Sequence, residues 1–319
     1  MKCESRDCFF TRLPGGLGNQ LFALFASRYI SQMTGMTNHL DFGGVDYSHS
    51  EEPYDIRSFI LDSNETNSFK HGLADWILEN CINTFSNLSL DKRLQRLSWS
   101  GIIQFPLNFD DRNSVTDYFS RSKRDIRFPF KTRIVDSYLA DFSFFDCLNK
   151  GEHKSIQLRS ISKYYSSKLD EFKSKSTMAI HLRLGDFLKN GKSIGILGDT
   201  YFKKSISNLM QLGDFEKVVL FSDSPNMARS RVSSWKLRFP IEYIELQDLK
   251  NPAEVMKLMS MCDGLVCSNS TFSFWAAKFA TQESGGRAII TIPKNFRRDK
   301  LASVGSIPSN WRVEEPFWV

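Results

Sequence analysis

The sequence lacks the features that mark membrane-spanning and exported proteins. Its 319 residues contain no apolar run of about 18 residues or more, which a transmembrane helix would need. Residues 1–7 are polar, whereas a signal peptide would continue into a hydrophobic core. We therefore expect no transmembrane segment and a location in the cytoplasm, with the Golgi lumen only if an anchor is missing from this chain. Peripheral association with a membrane stays compatible with this composition.

Cysteine pairs and strong charge are missing as well. The six cysteines include no Cys-x-x-Cys pair, and the spacing of Cys262 and Cys267 matches no zinc motif. We interpret the cysteines as reduced, mostly buried thiols. The net charge is only +6, and the lysines and arginines are spread along the chain. The sequence therefore predicts no nucleic-acid partner and favours a small ligand that carries phosphate.

What the sequence does contain is typical of a two-domain α/β protein. It is 41% hydrophobic and 24% charged, and its length suits two domains. From about residue 200 onward, apolar strand-like runs alternate with helix starts such as Asn251-Pro252. This alternation predicts a parallel sheet with helices on both faces. We place an N-terminal domain at residues 1–175 and a C-terminal domain at 176–319; residues 43–130 show no clear pattern.

A strand, a glycine-rich loop and a helix are predicted near the start of the chain. The apolar run 8–13 leads into Pro-Gly-Gly-Leu-Gly-Asn-Gln, and apolar residues then recur at helical spacing. Glycines let a backbone approach a ligand closely, and a helix start offers free N–H groups. Leu21 stands where a dinucleotide fingerprint has its third glycine, which argues against an NAD site. The alternative is a tight turn that only packs the helix. The binding candidates are Gly16, Gly18, Asn19 and Gln20.

The second polar cluster ends a short apolar run at residues 178–187. In an extended chain, residues two apart leave the same face, so His181 and Arg183 would converge on one spot, with Asp186 just beyond. We name these three residues as catalytic candidates. The alternative is that Arg183 and Asp186 form a structural salt bridge and that His181 is a core residue.

Two further strands are predicted to end in polar residues, at Ser222-Asp223 and at 268–271. The carboxyl ends of parallel strands meet at one edge of a sheet, where ligands bind. An arginine, a carboxylate and a hydroxyl-rich helix start suit a nucleoside diphosphate, although each could also be helix-capping chemistry. The binding candidates here are Asp223, Asn269, Ser270, Thr271 and Phe272.

These motifs resemble the α-1,2-fucosyltransferases of glycosyltransferase family eleven. Residues 15–22, Gly-Gly-Leu-Gly-Asn-Gln-Leu-Phe, are similar to its N-terminal motif, and 181–187 resemble its His-x-Arg-Arg-Gly-Asp-Tyr motif. Residues 221–223 and 268–276 resemble its two remaining motifs. Leu184 stands where many relatives have a second arginine, and Ser224 replaces a second aspartate.

The resemblance implies a GT-B-like α/β fold, in which two Rossmann-like domains face a cleft. It also implies transfer of fucose from GDP-fucose to a galactose-containing oligosaccharide, in α-1,2 linkage with inversion at the anomeric carbon. No cofactor and no metal are expected. Two alternatives stay open: another nucleotide-sugar transferase on the same fold, and a catalytically silent protein that binds a nucleotide or a sugar.

The same resemblance suggests roles for individual residues. Arg183 and the helix start near Ser270 would stabilise the departing pyrophosphate. Asp223 would orient the guanosine, and Asn19 and Gln20 would contact the donor across the cleft. The general base stays open between the two other catalytic candidates, Asp186 and His181.

Overall fold

The structure, a computed structural model, divides into two compact units, Met1–Gln157 and Leu158–Val319. The division comes earlier than the domain boundary we placed after residue 175. The helix Lys163–Ser174 belongs to the second unit because Glu254 of that unit accepts hydrogen bonds from the backbone N–H and hydroxyl of Ser162, at 2.5 and 2.9 Å. The residues that the structure describes are 8–41, 56–61, 103–107, 112–122, 132–135, 139–149, 151, 156–185, 194–244, 250–298 and 307–319.

The first unit contains a four-stranded sheet in which every described pairing is parallel, with the order β2-β1-β4-β3. Its strands are β1 (Cys8–Arg12), β2 (Thr37–Asp41), β3 (Ile103–Leu107) and β4 (Thr132–Val135). Its helices are α1 (Leu17–Thr34), α2 (Arg112–Ser122) and α3 (Ser143–Asp146), with a 3-10 turn at Ile56–Ser58.

Helix α1 is the predicted helix that follows the glycine-rich loop. Its apolar residues are buried almost all round, with Leu21, Phe22 and Phe25 each at most 1% exposed, so it lies inside the unit. Gly35 ends it in the left-handed conformation, at φ 73°, and donates its N–H to Ser31 O at 2.8 Å.

The second unit contains a six-stranded sheet, again parallel in every described pairing, with the order β10-β9-β8-β5-β6-β7. Its strands are β5 (Thr177–Leu182), β6 (Lys217–Ser222), β7 (Glu242–Tyr243), β8 (Gly264–Val266), β9 (Ile289–Pro293) and β10 (Arg312–Glu314). Its helices are α4 (Lys163–Ser174), α5 (Asp199–Met210), α6 (Pro225–Ser233), α7 (Pro252–Ser260) and α8 (Thr271–Glu283).

Strand β5 occupies the middle of this sheet and positions the site. All six of its residues are buried, as expected of a strand covered on both faces. It pairs with β6 along its whole length, so that Leu182 lies opposite Ser222, and with β8 on its other side. The residues that follow β5, β6 and β8 therefore lie along one edge of the sheet.

The structure bears on the expected state of the cysteines and on the expected lack of a transmembrane segment. Cys262 and Cys267 are free, buried thiols, and burial raises the pKa of both well above its usual range; Cys147 is also free but exposed. Across the described ranges, no helix combines the length and the hydropathy required to cross a membrane.

Candidate active site

Residues 183–185, which we call the glycine turn, follow β5 directly and are held by one carboxylate. Asp223 Oδ1 accepts the N–H of Leu184 at 2.9 Å, and Oδ2 accepts the N–H of Gly185 at 3.0 Å. Arg183 Nε lies 3.1 Å from the same Oδ2. The pairing of β5 with β6 thus brings together Arg183 and Asp223, which are 40 positions apart in the chain.

The close approach of this carboxylate requires glycine at position 185. A Cβ atom there would lie 2.7 Å from Asp223 Oδ2 and 3.3 Å from Cγ, which is too close for a side chain to be accommodated without a shift. Ser222 supports the same junction, because its hydroxyl donates to Leu182 O at 2.7 Å and accepts the N–H of Ser224 at 3.1 Å.

Arg183 and Asp223 are neither deeply buried nor fully exposed. Their side chains are 21% and 20% exposed. The ion pair restricts the guanidinium at Nε, and planar, bidentate donors are suited to phosphate oxygens. The structure thus gives Arg183 the placement that an anion-binding residue needs. The two oxygens of Asp223 contact the glycine turn, and its predicted contact with guanosine stays a prediction.

His181 joins β5 to the start of α8. It is 4% exposed; its Nδ1 lies 3.1 Å from the Ser268 hydroxyl, and its ring stacks on Phe272 with the centroids 5.7 Å apart. Burial, assisted by the positive charge of Arg183, lowers the pKa of His181 to about 3. The imidazole is therefore neutral near pH 7 and a weak proton acceptor, which argues against His181 as the general base.

The start of α8 is built by hydroxyl groups. Ser270 is the N-cap residue, and its side chain accepts the N–H of Phe272 at 3.3 Å. Ser273, completely buried, donates its hydroxyl to the carbonyls of Ser268 and Ser270 at 3.1 Å each. Thr271, the first helical residue, is partly exposed. The helix N-terminus lies next to His181 and so at the same sheet edge as the glycine turn.

Asn269 ties this segment to two other parts of the second unit. Its side-chain N–H groups lie 3.2 Å from the carbonyls of Gly195 and Phe296, and the residue is 1% exposed. These contacts give Asn269 a structural role. Its predicted contact with a substrate stays a prediction, as do those of Ser270, Thr271 and Phe272.

The glycine-rich loop of the first unit, residues 15–20, is held from within by Gln20. This residue is 1% exposed; its Nε2 donates to Gly15 O at 2.8 Å, and its Oε1 accepts the N–H of Ile56 at 2.9 Å. Gln20 was predicted to contact the donor, but both ends of its amide bind backbone. Gly15 has φ 53°, so the loop contains a left-handed residue.

The other candidates of this loop are placed but not tested by the structure. Gly16 is the N-cap of α1, and a Cβ atom there would have no neighbour within 4 Å among the described residues, so packing alone does not require glycine. Gly18 is buried, and Asn19 is partly exposed. The binding roles of Gly16, Gly18 and Asn19 stay predictions.

Leu184, which stands where many relatives have a second arginine, is packed in the hydrophobic core. It is 3% exposed and belongs to the hydrophobic core around Ile180 and Leu182. It also lines an open, largely apolar pocket of about 700 Å³, which sequence reasoning missed because the lining residues are scattered along the chain. The other lining residues are Ile196, Asp199, Asn226, Met227, Ser230, Arg231 and Val319.

Two predictions concern a base and a metal. Asp186 lies outside the described residues, so the structure tests neither its role as a base nor the alternative, a structural salt bridge to Arg183. Within the described ranges, no group of three or more His, Cys, Asp or Glu side chains is gathered in a way that could hold a metal ion.

A known family matches the part of the chain that contains the glycine turn. The profile described as Glycosyl transferase family 11 matches residues 151–314, slightly more than half of the chain. The chain belongs to glycosyl transferase family 11. The match contains the glycine turn, Asp223 and the start of α8, and membership of the family supports glycosyltransferase activity.

Two curated relatives in Escherichia coli differ in how much they share with this family 11 protein. The α-1,2-colitosyltransferase is 25% identical over 331 aligned residues, which cover 95% of this chain and 98% of that protein. The O-antigen biosynthesis glycosyltransferase WbnK is 27% identical over 124 residues, which cover 38% of this chain and 39% of WbnK. In the WbnK match, the chain therefore spans less than half of the relative's length.

One of two similar solved structures supports the fold with a TM-score above 0.5. POFUT1, crystallised in complex with GDP, has a TM-score of 0.51 at 13% identity and covers 91% of this chain and 99% of that one. The fucosyltransferase NodZ from Bradyrhizobium has a TM-score of 0.48 at 16% identity, covering 85% and 91%. The predicted fold class, α/β of the GT-B-like type, is confirmed, and each unit contains a parallel sheet.

Proposed function

We propose that this glycosyltransferase moves fucose from GDP-fucose to a hydroxyl of a galactose-containing oligosaccharide, forming an α-1,2 linkage with inversion. The observation that carries the proposal is the glycine turn: Arg183 is held by Asp223 at 3.1 Å, at the carboxyl end of the central strand. This is the edge at which open α/β sheets bind nucleotides.

The chemistry of the transfer explains why an arginine belongs there. The acceptor oxygen forms a bond to the anomeric carbon while the bond from that carbon to the β-phosphate oxygen breaks, so negative charge grows on the departing GDP. Arg183 and the N–H groups at the start of α8 would stabilise this charge. No cofactor takes part in the proposed reaction.

The acceptor hydroxyl must also lose a proton. His181 is poorly suited to accept it, because burial and Arg183 lower its pKa to about 3. Asp186, three residues beyond Arg183, is the remaining candidate from the sequence, and we propose it as the base.

The relatives support the donor nucleotide and sharpen the choice of sugar. POFUT1 was crystallised with GDP, which supports guanosine diphosphate as the leaving group. The E. coli relative that aligns with 95% of this chain is a colitosyltransferase. Colitose differs from fucose in lacking the 3-hydroxyl group. The second candidate function is therefore transfer of colitose to the same position of an acceptor.

The test is a turnover assay with a panel of donors and β-galactosides. We expect GDP-fucose to be used in preference to GDP-colitose, GDP-mannose and UDP-sugars, and NMR of the product to show an α-1,2 linkage. Preference for GDP-colitose would support the second candidate. Use of a UDP-sugar, or nucleotide binding without any turnover, would contradict the proposal.

A further inference from the structure

We propose that Asp223 is a positioning residue, which orients Arg183 for the diphosphate of the donor and does not itself contact the guanosine. The inference rests on the proposed function, because it needs a diphosphate leaving group. It concerns the division of labour within the candidate site and replaces the guanosine contact expected from the sequence.

The contacts of Asp223 point to this role. Three consecutive residues engage one carboxylate: Leu184 and Gly185 donate backbone N–H groups to it at 2.9 and 3.0 Å, and Arg183 Nε forms an ion pair with it at 3.1 Å. An ionised carboxylate accepts about four hydrogen bonds; each oxygen of Asp223 accepts one from the turn, and Oδ2 also pairs with Arg183. Little accepting capacity is left for the donor groups of a base.

The turn also depends on the carboxylate chemically. In Asp223→Asn, one oxygen would become an NH₂ group, a donor that faces other donors, whichever way the amide is oriented. Gly185 shows the same dependence from the other side, because any side chain there would meet Asp223 Oδ2 at 2.7 Å. The strand end is thus shaped around this one carboxylate.

The orientation of Arg183 matters because its neighbour cannot share its task. Leu184 is apolar, and its side chain is packed in the core at 3% exposure. The glycine turn therefore presents a single guanidinium, which pairs with Asp223 through Nε. Bidentate contacts to phosphate oxygens are lost when the guanidinium plane rotates, even if the charge remains.

The test is isothermal titration of the whole protein with GDP, inorganic pyrophosphate and guanosine. For Asp223→Asn we expect affinity for GDP and for pyrophosphate to fall by about tenfold or more, while affinity for guanosine is unchanged. The matched control is Asp199→Asn, because Asp199 Oδ1 pairs with Arg231 Nε at 2.6 Å in the same unit. That variant is expected to bind all three ligands as the wild type does.

Three results would overturn the inference. The first is a fall in guanosine affinity as large as that for GDP, which would indicate a direct contact with the base. The second is unchanged pyrophosphate affinity, or no pyrophosphate binding by the wild type. The third is a further loss of pyrophosphate affinity when Asp223→Asn is added to Arg183→Ala, because a residue that acts through Arg183 has no effect once Arg183 is removed.

A second variant covers the case in which Asp223→Asn fails to fold, which circular dichroism would reveal. Gly185→Ala retains the Asp223 side chain but displaces its carboxylate, and we expect the same loss of affinity for GDP and pyrophosphate, with affinity for guanosine unaffected. Since titration needs no turnover, its result is separate from the donor assay: failure to use GDP-fucose would contradict the proposed function, whereas pyrophosphate binding would still report on Asp223.

Discussion

The glycine-rich loop of the first unit and the glycine turn of the second both follow a strand, but their polar residues differ in burial and charge. In the loop, Gln20 is neutral and buried. It is 1% exposed, and both ends of its amide form hydrogen bonds with the backbone. In the turn, the polar side chains are charged and about one-fifth exposed: Arg183 and Asp223 form an ion pair at the end of a strand.

This difference follows from the cost of burial. A buried amide is tolerated when its donor and acceptor are both satisfied, and it then makes the backbone around it rigid. A charged pair loses more on burial, so one that keeps partial exposure retains its ability to meet a charged ligand. We infer that Gln20 stabilises the conformation of the glycine-rich loop, whereas the glycine turn holds charged side chains that can bind a ligand.

The largest expected effect is at Arg183. Arg183→Ala should reduce the rate of transfer by a factor of about 100 or more while the fold is retained, because it removes a charge that stabilises the leaving group. Arg183→Lys should recover little, since a point charge does not reproduce bidentate contacts. Steady-state kinetics with GDP-fucose and an accepted galactoside, together with thermal melting, would measure both effects.

The matched control for Arg183 is Arg231→Ala. Arg231 also pairs with an aspartate through Nε, and it lies in the same unit. It should lose some stability but keep most of its turnover. Near-native rates for Arg183→Ala, or equal losses for the two variants, would remove Arg183 from the site.

The next largest effect should be on stability, at Gln20. Gln20→Ala leaves Gly15 O and the N–H of Ile56 without their partner, which should lower the free energy of unfolding by about 2 kcal/mol. Chemical denaturation would measure this loss.

Gln32 is the control on the same helix. Its amide also forms hydrogen bonds with the backbone, at Cys147 O and the N–H of Asn149, but the residue is more exposed. Gln32→Ala should cost clearly less; equal costs would contradict the role of burial.

The contrast between these regions also shows what the sequence could predict. Alternating strands and helices predicted a parallel sheet, and the Asn251-Pro252 helix start was predicted from local rules; Asn251 indeed caps α7 by accepting the N–H of Ala253 at 3.0 Å. Arg183 and Asp223 were expected at one sheet edge because parallel strands end together. Helices, strands and the residues that follow parallel strands can therefore be predicted from local sequence patterns.

Contacts between distant segments were not predictable in this way. Gln20 reaches Ile56, and Asn269 reaches Gly195 and Phe296, across separations that no helical or strand periodicity encodes. The contacts of Asp223 were not predictable either, because the sequence places a carboxylate at the edge but does not say which N–H groups its oxygens accept. All three residues have contacts within the protein that the sequence did not predict, and their ligand contacts stay predictions.

A smaller effect is expected in the pH dependence of stability. The folded pKa of His181, about 3, lies below its ordinary value of 6.5, so between these values the unfolded chain binds more protons. The contribution of His181 to stability is complete above about pH 6.5 and declines as the pH falls, by at most about 1.4 kcal/mol per pH unit.

The measurement is chemical denaturation of the wild type and of His181→Gln at several pH values from roughly 4 to 8, a range chosen because the folded and unfolded pKa values of His181 predict the change in stability there. Gln keeps a hydrogen-bonding side chain but does not titrate, so the wild type should lose stability more steeply as the pH falls. Parallel curves would show that His181 takes up a proton in the folded protein, and it would then return as a candidate base.

The smallest expected effect is that of a chelator, which should leave fucosyl transfer unchanged. A metal that neutralises a pyrophosphate needs several oxygen ligands, usually carboxylates. The carboxylate assigned to the glycine turn, Asp223, is engaged by Arg183 and two backbone N–H groups, and the described residues contain no cluster of three or more metal-ligating side chains.

The measurement is the initial rate after metal stripping, with and without EDTA, and a metal-dependent transferase assayed in parallel shows that stripping is complete. Loss of most activity, restored by magnesium or manganese, would mean that Arg183 and the start of α8 do not suffice for the leaving group, and the glycine turn would then share with the glycine-rich loop a role that is mainly structural.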